Sequence, residues 1–355
     1  MDKKKKLVLT GGGTAGHVMP HIALLPLFAR EGWQLFYIGS GGIEQEIMAG
    51  TGIPFRTIQA GKLRRYFSWQ NFIDIFRVVI GFVQAAGYLA AIRPALVFSK
   101  GGFVSVPVCL AARVLRIPVV SHESDLTPGL ANRIIGRFAR LILYAFPQTG
   151  SYLGNTPSRL VGLPVRDSLL RGNAARGRAF CGFPANEQRP VYLVMGGSLG
   201  AQKINEALAG ILPDLVRDRG VIHITGKGKG IAFEHPWYRA FEYVQDELPD
   251  LFAAADYVVS RAGANSIFEF LALQKPMLLI PLEAGSRGDQ VHNARSFVEN
   301  DWAKVLREKD LSGPALQQAM MALEKDAAGL QNRLREAGQR HASEEVVQSL
   351  RELMA

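Results

Sequence analysis

Short apolar runs alternate with stretches of helical periodicity along this whole chain, which predicts parallel α/β units rather than an all-α or all-β fold. In the first half the runs Leu7–Thr10, Gln34–Ile38, Leu96–Ser99, Val119–Ser121 and Leu141–Ala145 read as strands. The pattern restarts with Val191–Met195, Val221–Thr225, Phe241–Val244, Tyr257–Ser260 and Met277–Ile280. Between the halves, Gly154 to Pro190 is rich in Gly, Pro and Arg, with a strand signal only at Arg159–Val161. The expected boundary is near Gly162-Leu163-Pro164, giving Rossmann-like domains over 1–162 and 163–340. The sequence leaves open whether the last helix, about 341–355, packs back onto the first domain.

Each half opens with a strand running into a glycine-rich turn. Gly11-Gly12-Gly13-Thr14-Ala15-Gly16 matches G-x-G-x-x-G, but the second strand ends in Gly39-Ser40-Gly41-Gly42 with no carboxylate to hold a dinucleotide ribose. A dinucleotide reading loses its main support there. His17, next after the turn, is placed to touch a reacting sugar, or simply to cap a tight turn. Ser99 to Ser105 and Gly196 to Ala201 repeat the strand-to-glycine arrangement, while Gly226-Lys227-Gly228-Lys229-Gly230 lacks Walker spacing and reads as a mobile loop.

The most informative stretch is Ser260 to Gln290. A strand ends at a Gly-Ala turn, and a helix begins at Ala264-Asn265-Ser266, whose N–H groups suit phosphate. Glu269 follows one turn later as an acceptor pair for a ribose diol. A second strand then runs into a polar loop carrying Arg287, Asp289 and Gln290. A nucleotide site is the expectation. His122-Glu123-Ser124-Asp125, after the Val119 strand, offers either a general base or a hydrogen-bonded loop.

Composition narrows the picture. The 355 residues are 48% hydrophobic and 20% charged, as in a soluble globular protein of two domains. Cys109 and Cys181 are far apart in apolar surroundings, which fits a reducing cytosol and no disulfide framework. No His, Cys, Asp or Glu set has metal spacing, and no cofactor is expected. The net charge of +10 favours anionic partners, but aromatics do not interleave with the basic residues in an RNA-binding pattern, so nucleic acid is not expected. The longest uncharged stretch, Val78–Ile92, is too short and too interrupted for the roughly 20 residues of a membrane span. Lys62-Leu63-Arg64-Arg65-Tyr66-Phe67-Ser68-Trp69 leads into a helix with Ile73, Phe76, Val79, Ile80 and Val83; the segment 62–83 mixes arginines and aromatics as at an anionic membrane surface, although a core helix with a basic start has the same pattern.

GGGTAGHVMPHIAL, KGGFVSVP, HESDLTPGLANR, GLPVR, MGGSLGAQKIN, SRAGANSIFEFLALQKPMLLIP and RGDQVHNA, in this order from Gly11 to Ala294, together resemble the MurG family of N-acetylglucosaminyltransferases. The resemblance implies a GT-B fold of two Rossmann-like domains facing a cleft. It also implies inverting, metal-independent transfer from UDP-N-acetylglucosamine to the 4-hydroxyl of undecaprenyl-diphospho-muramoyl-pentapeptide (lipid I), forming lipid II for peptidoglycan. A transferase acting on a diacylglycerol or another lipid is the alternative. The implied location is peripheral, on the cytoplasmic face of the cell membrane.

By resemblance, Val244 lies beside uracil through its backbone, Glu269 holds ribose, and the helix start from Ala264 through Asn265 to Ser266 faces diphosphate, with Ile267 and Phe268 also among the substrate-binding residues. Ser198 and Arg166 contact the donor, Asp289 and Gln290 face sugar hydroxyls, and Thr14, Ala15, Gly16 and Asp125 close the site from the first domain. His17 and Glu123 are the candidates for base or acceptor orientation. Three motifs depart from the family pattern: Ala15 replaces a glycine, Ser124-Asp125 replaces a Gln-Asn pair, and Asp289-Gln290 replaces Gln-Gln.

Overall fold

The computed structural model describes residues 5–61, 69–197, 200–283, 288–338 and 342–354, with the side chains of 69–75 outside that description. The chain divides into two compact units, residues 1–164 with 340–355, and residues 165–339.

The strands of the first unit are β1 Lys6–Thr10, β2 Gln34–Gly39, β3 Phe55–Thr57, β4 Leu96–Ser99, β5 Val119–Glu123, β6 Leu141–Tyr144 and β7 Ser158–Leu160. Its helices are α1 Met19–Arg30, α2 Ile43–Ala49, α3 Trp69–Ile92, α4 Ser105–Val114 and α5 Leu130–Ile135. The strands form one sheet in the order β3-β2-β1-β4-β5-β6-β7, every pair parallel.

In the second unit the strands are β8 Val191–Met195, β9 Gly220–Ile224, β10 Tyr238–Phe241, β11 Tyr257–Ser260, β12 Met277–Leu279 and β13 Lys304–Val305. Its helices are α6 Ala174–Cys181, α7 Gln202–Ala209, α8 Leu212–Leu215, α9 Leu248–Ala254, α10 Ala264–Ala272, α11 Asp289–Glu299, α12 Gly313–Lys325 and α13 Ala327–Ala337. This sheet runs β10-β9-β8-β11-β12-β13, again parallel throughout. In both sheets the order reverses beside the opening strand, at β1/β4 and β8/β11, the crevice where such sheets bind ligands at their carboxyl ends.

Alternation along β1 builds the two layers of the first core. Leu7 and Leu9 face a layer with Leu24, Phe28 and Phe98, while Val8 faces Ile38, Val97, Leu89 and Val108 on the other side. A final helix, α14 Ala342–Met354, packs against α1 and buries Val346, Val347 and Leu350 in the first of these layers. The chain therefore returns to the unit it began in.

Two differences from the sequence reading have simple causes. The strand expected at Phe241–Val244 lies three residues earlier, at Tyr238–Phe241, because Tyr238 is the buried residue that registers with Val221 of β9. β3 and β13 were not foreseen: they are edge strands of three and two residues, too short and too exposed to show an apolar run.

Candidate active site

The carboxyl ends of β11 and β12 build the side expected to take a nucleotide. Arg261, next after β11, donates to Ile280 O at 3.1 Å and pairs with the buried Glu308, which also lies 3.6 Å from Lys203 Nζ. Asn293 of α11 donates to Ala262 O at 3.3 Å. These bonds fix the turn from which α10 starts. Gly263 precedes α10 in an extended conformation (φ −68°, ψ 136°) and caps it with no side chain. Helical bonding begins with Ile267 N–H donating to Gly263 O at 3.1 Å, so the N–H groups of Ala264 and Ser266 have no acceptor within the helix. A Cβ built on Gly263 meets nothing within 4 Å. The fold does not require glycine here, either by backbone angle or by space.

One turn in, Glu269 lies 3.4 Å from Arg166 across this unit, and both side chains are largely shielded from solvent. Burial raises the Glu269 carboxyl above its ordinary value, and Arg166 opposes that rise. Arg166 Nε is buried without a hydrogen-bond partner among the described residues, so the pair has donor capacity that the protein does not use. Val244 is buried just beyond β10.

Not every expected residue presents its side chain here. Ile267 and Phe268 are core residues; the Phe268 ring stands edge-on to Phe297 at 5.6 Å, so only their backbone belongs to the helix start. Gln290 uses its amide oxygen to accept from Leu282 N–H at 3.0 Å, tying α11 to the loop after β12. Asp289 opens α11 beside it, behind Gly288 in the left-handed region (φ 80°). Asn265 and Ser266 are half-buried on the first turn of α10. Ser198 and Arg287 lie outside the described residues. The loop Gly226–Gly230 is anchored, by Gly228 N–H to Glu242 at 2.8 Å and Lys229 to Gly200 O at 3.4 Å.

The first unit gathers a second constellation at the ends of β1, β4 and β5. The turns after β1 and β4 pack so closely that a Cβ on Gly102 (φ +80°) would lie 2.3 Å from Gly12 O. Tyr37 OH donates to Gly11 O at 2.7 Å. Thr14, Ala15 and Gly16 project from this turn with partial to full exposure, and Thr14 Oγ1 lies 2.9 Å from His17 Nδ1, which orients the ring. Sequence reasoning missed Glu44. It is fully buried and accepts from Ser40 N–H at 2.9 Å and Gly13 N–H at 3.4 Å. An acid does stand near the end of β2, but it braces the glycine turn instead of offering itself to a ribose.

Lys100 was also missed, although a lone lysine between a buried strand and a glycine turn is a visible signal. Its side chain is buried, with Nζ 2.6 Å from His122 Nδ1 and 2.8 Å from Ser124 Oγ. His122 Nε2–H donates to Gly162 O at 2.8 Å, and burial, reinforced by Lys100, holds the imidazole neutral with its pKa well below the ordinary value.

Glu123 accepts from Ser124 N–H (2.9 Å), Asp125 N–H (3.0 Å), Gly129 N–H (2.9 Å) and Asn132 Nδ2 (2.9 Å). These four donors fill the acceptor directions of a carboxylate. Of the two roles left open for Glu123, the geometry favours the hydrogen-bonded loop over the general base. Among the described residues, no group of three or more His, Cys, Asp or Glu side chains is placed to hold a metal ion.

Comparison with known proteins agrees with this organisation. Residues 7–144 match the glycosyltransferase family 28 N-terminal domain and residues 191–350 the glycosyltransferase family 28 C-terminal domain. A UDP-N-acetylglucosamine--N-acetylmuramyl-(pentapeptide) pyrophosphoryl-undecaprenol N-acetylglucosamine transferase of Geobacillus kaustophilus is 51% identical, covering 94% of this chain and 95% of its own length. The enzyme of the same name from Clostridium perfringens is 48% identical over 91% of each chain. Among solved structures, Acinetobacter baumannii MurG superposes with a TM-score of 0.78 at 22% identity, covering 98% of this chain and 99% of that one. The calicheamicin glycosyltransferase CalG4 gives 0.70 at 16% identity over 99% of both. At those identities the structures speak for the fold, which is that of GT-B glycosyltransferases.

Proposed function

The chain belongs to glycosyltransferase family 28, and on that premise we propose that it transfers N-acetylglucosamine from UDP-N-acetylglucosamine to the lipid-linked N-acetylmuramyl-pentapeptide acceptor, forming lipid II for peptidoglycan. The relatives' shared name specifies donor and acceptor, and a diacylglycerol acceptor is not favoured. The observation that carries the donor assignment is the uncapped start of α10 beside open space at Gly263, one turn from the Arg166–Glu269 pair. Such a helix end binds diphosphate, Glu269 accepts from the ribose hydroxyls, and Arg166 places its unused donor toward the nucleotide. Val244 flanks the uracil through its backbone; Asp289 and the Gln290 amide nitrogen face the sugar.

The acceptor 4-hydroxyl attacks the anomeric carbon from the face opposite UDP, and its proton must leave as the bond forms. His17, oriented by Thr14, is the base that fits this step. Negative charge developing on the departing diphosphate is met by the α10 start and Arg166. Glu123 orients the loop carrying Asp125, and Thr14, Ala15 and Gly16 complete the acceptor side.

No helix among the described residues is long and apolar enough to cross a membrane. Instead, Phe76, Val79, Ile80 and Val83 are exposed along one face of α3, opposite the face that buries Ala85, Leu89 and Ile92. That face is the membrane-docking surface, with the basic residues Lys62, Arg64 and Arg65 preceding it in sequence, outside the described residues. The free, buried Cys109 and Cys181 accord with a reducing compartment, hence the cytoplasmic face. The purified chain is tested with UDP-N-acetylglucosamine and either a lipid I analogue or diacylglycerol. Disaccharide-lipid product with only the first supports the assignment; product with only the second, or UDP-sugar binding without transfer, refutes it.

A further inference from the structure

We propose that Lys100 is a positioning residue of the transfer reaction, its ammonium serving as the counter-charge that lets Asp125 stand as a carboxylate at the mouth of the first sheet. The proposal rests on the reading above of the acceptor side. Lys100 Nζ is held at 2.6 Å from His122 Nδ1 and 2.8 Å from Ser124 Oγ, and Ser124 separates Glu123 from Asp125 in the chain. The cation thus lies beneath the centre of the acidic loop. With the side chain 2% exposed, water does little to screen it.

Burial lowers the Lys100 pKa to about 7 against the opposing pull of Glu123 and then Asp125. A buried lysine in this place is stabilised as a cation by these carboxylates. The glycine turn bears on the same group, since a Cβ on Gly11 would meet Lys100 Cβ at 3.2 Å. Two of the departures noted in the sequence acquire one cause. Serine at 124 is short and offers a hydroxyl to the ammonium, and the charge at 125 is balanced from below. His122 transmits the arrangement to Gly162 O, at the last glycine before the first unit ends.

A double-mutant cycle tests this. Lys100→Gln keeps a donor for His122 and a group for Ser124 but removes the charge; its kcat/KM for the acceptor analogue is expected to fall by about tenfold or more, with KM for UDP-N-acetylglucosamine unchanged. Adding Asp125→Asn is expected to restore about fivefold or more of that loss, because the carboxylate whose charge Lys100 balanced is gone. A Lys100→Gln variant as active as the parent, or a double variant no better than the single, would overturn the proposal. Where Lys100→Gln does not fold, the cycle is read in melting temperature: Asp125→Asn is expected to restore folding, and failure in both backgrounds is equally contrary. A parent chain without turnover counts against the proposed function, and the coupling is then read from melting temperatures alone.

Discussion

Arg166 and Glu269 face each other at 3.4 Å, a long contact for a pair so shielded, and Arg166 Nε remains unpartnered beside it among the described residues. A pair optimised for stability would close to a short, bidentate geometry. This one is open toward a third group, and under the proposed function the ribose and diphosphate of a nucleotide supply it.

Glu269 must be ionised to accept two hydroxyl donors, and burial sets its pKa above the ordinary carboxylate value. UDP affinity is therefore expected to weaken as pH falls through a midpoint higher than that of an ordinary glutamate, and to be fully present above it. Glu269→Gln should lower UDP affinity roughly ten- to hundredfold and abolish that pH dependence. Calorimetric titration of UDP across the acidic range checks both.

Glu123 and His17 separate by their stability effects. Glu123→Gln removes acceptors from a loop held by four donors, and is expected to destabilise the protein by about 2–3 kcal/mol while lowering turnover. His17→Ala is expected to cost less stability than Glu123→Gln and to reduce kcat by roughly 10²- to 10⁴-fold with UDP binding intact. The reverse pattern, measured by denaturation and single-turnover kinetics, would return the base to Glu123.

Three buried histidines set the acid limit. Burial lowers His21 to about 3 and His223 to about 4, and lowers His122 well below its ordinary value. The unfolded chain binds protons at these positions from its ordinary value of 6.5 downward, while the folded chain does not. Their contribution to stability is complete above that value and is lost as pH falls, at up to about 1.4 kcal/mol per pH unit for each histidine. Melting temperature followed from pH 7 to about 4 should drop less steeply in His21→Asn than in the parent, compared by slope because the substitution itself costs stability.

Phe76→Ser with Val83→Ser removes two of the exposed side chains of α3. Binding to vesicles containing anionic lipid is expected to weaken by about tenfold or more, with turnover of a water-soluble acceptor unchanged. Sedimentation with vesicles of increasing anionic content measures it; undiminished binding would place the membrane surface elsewhere.

Much of this was legible in the sequence because parallel strands buried on both faces read as continuous apolar runs, and glycine turns mark their ends. The edge strands β3 and β13 were not, since they bury too little to leave a pattern. The site residues missed, Glu44 and Lys100, act through backbone groups and side chains distant in sequence, with Glu44 reaching Gly13 and Lys100 reaching His122. No spacing rule shows such contacts. Ile267 and Phe268 sit in the same motif on the helix face that turns inward, so the sequence did not show that only their backbone belongs to the helix start.

The central claim is that the donor nucleotide sits on the start of α10, and Gly263→Val tests it most directly. The backbone there tolerates any residue and a Cβ meets nothing within 4 Å, so the variant should fold as the parent does. Calorimetric titration with UDP is expected to show binding lost or weakened by about a hundredfold at unchanged melting temperature. Undiminished UDP affinity in a folded Gly263→Val protein would contradict the account.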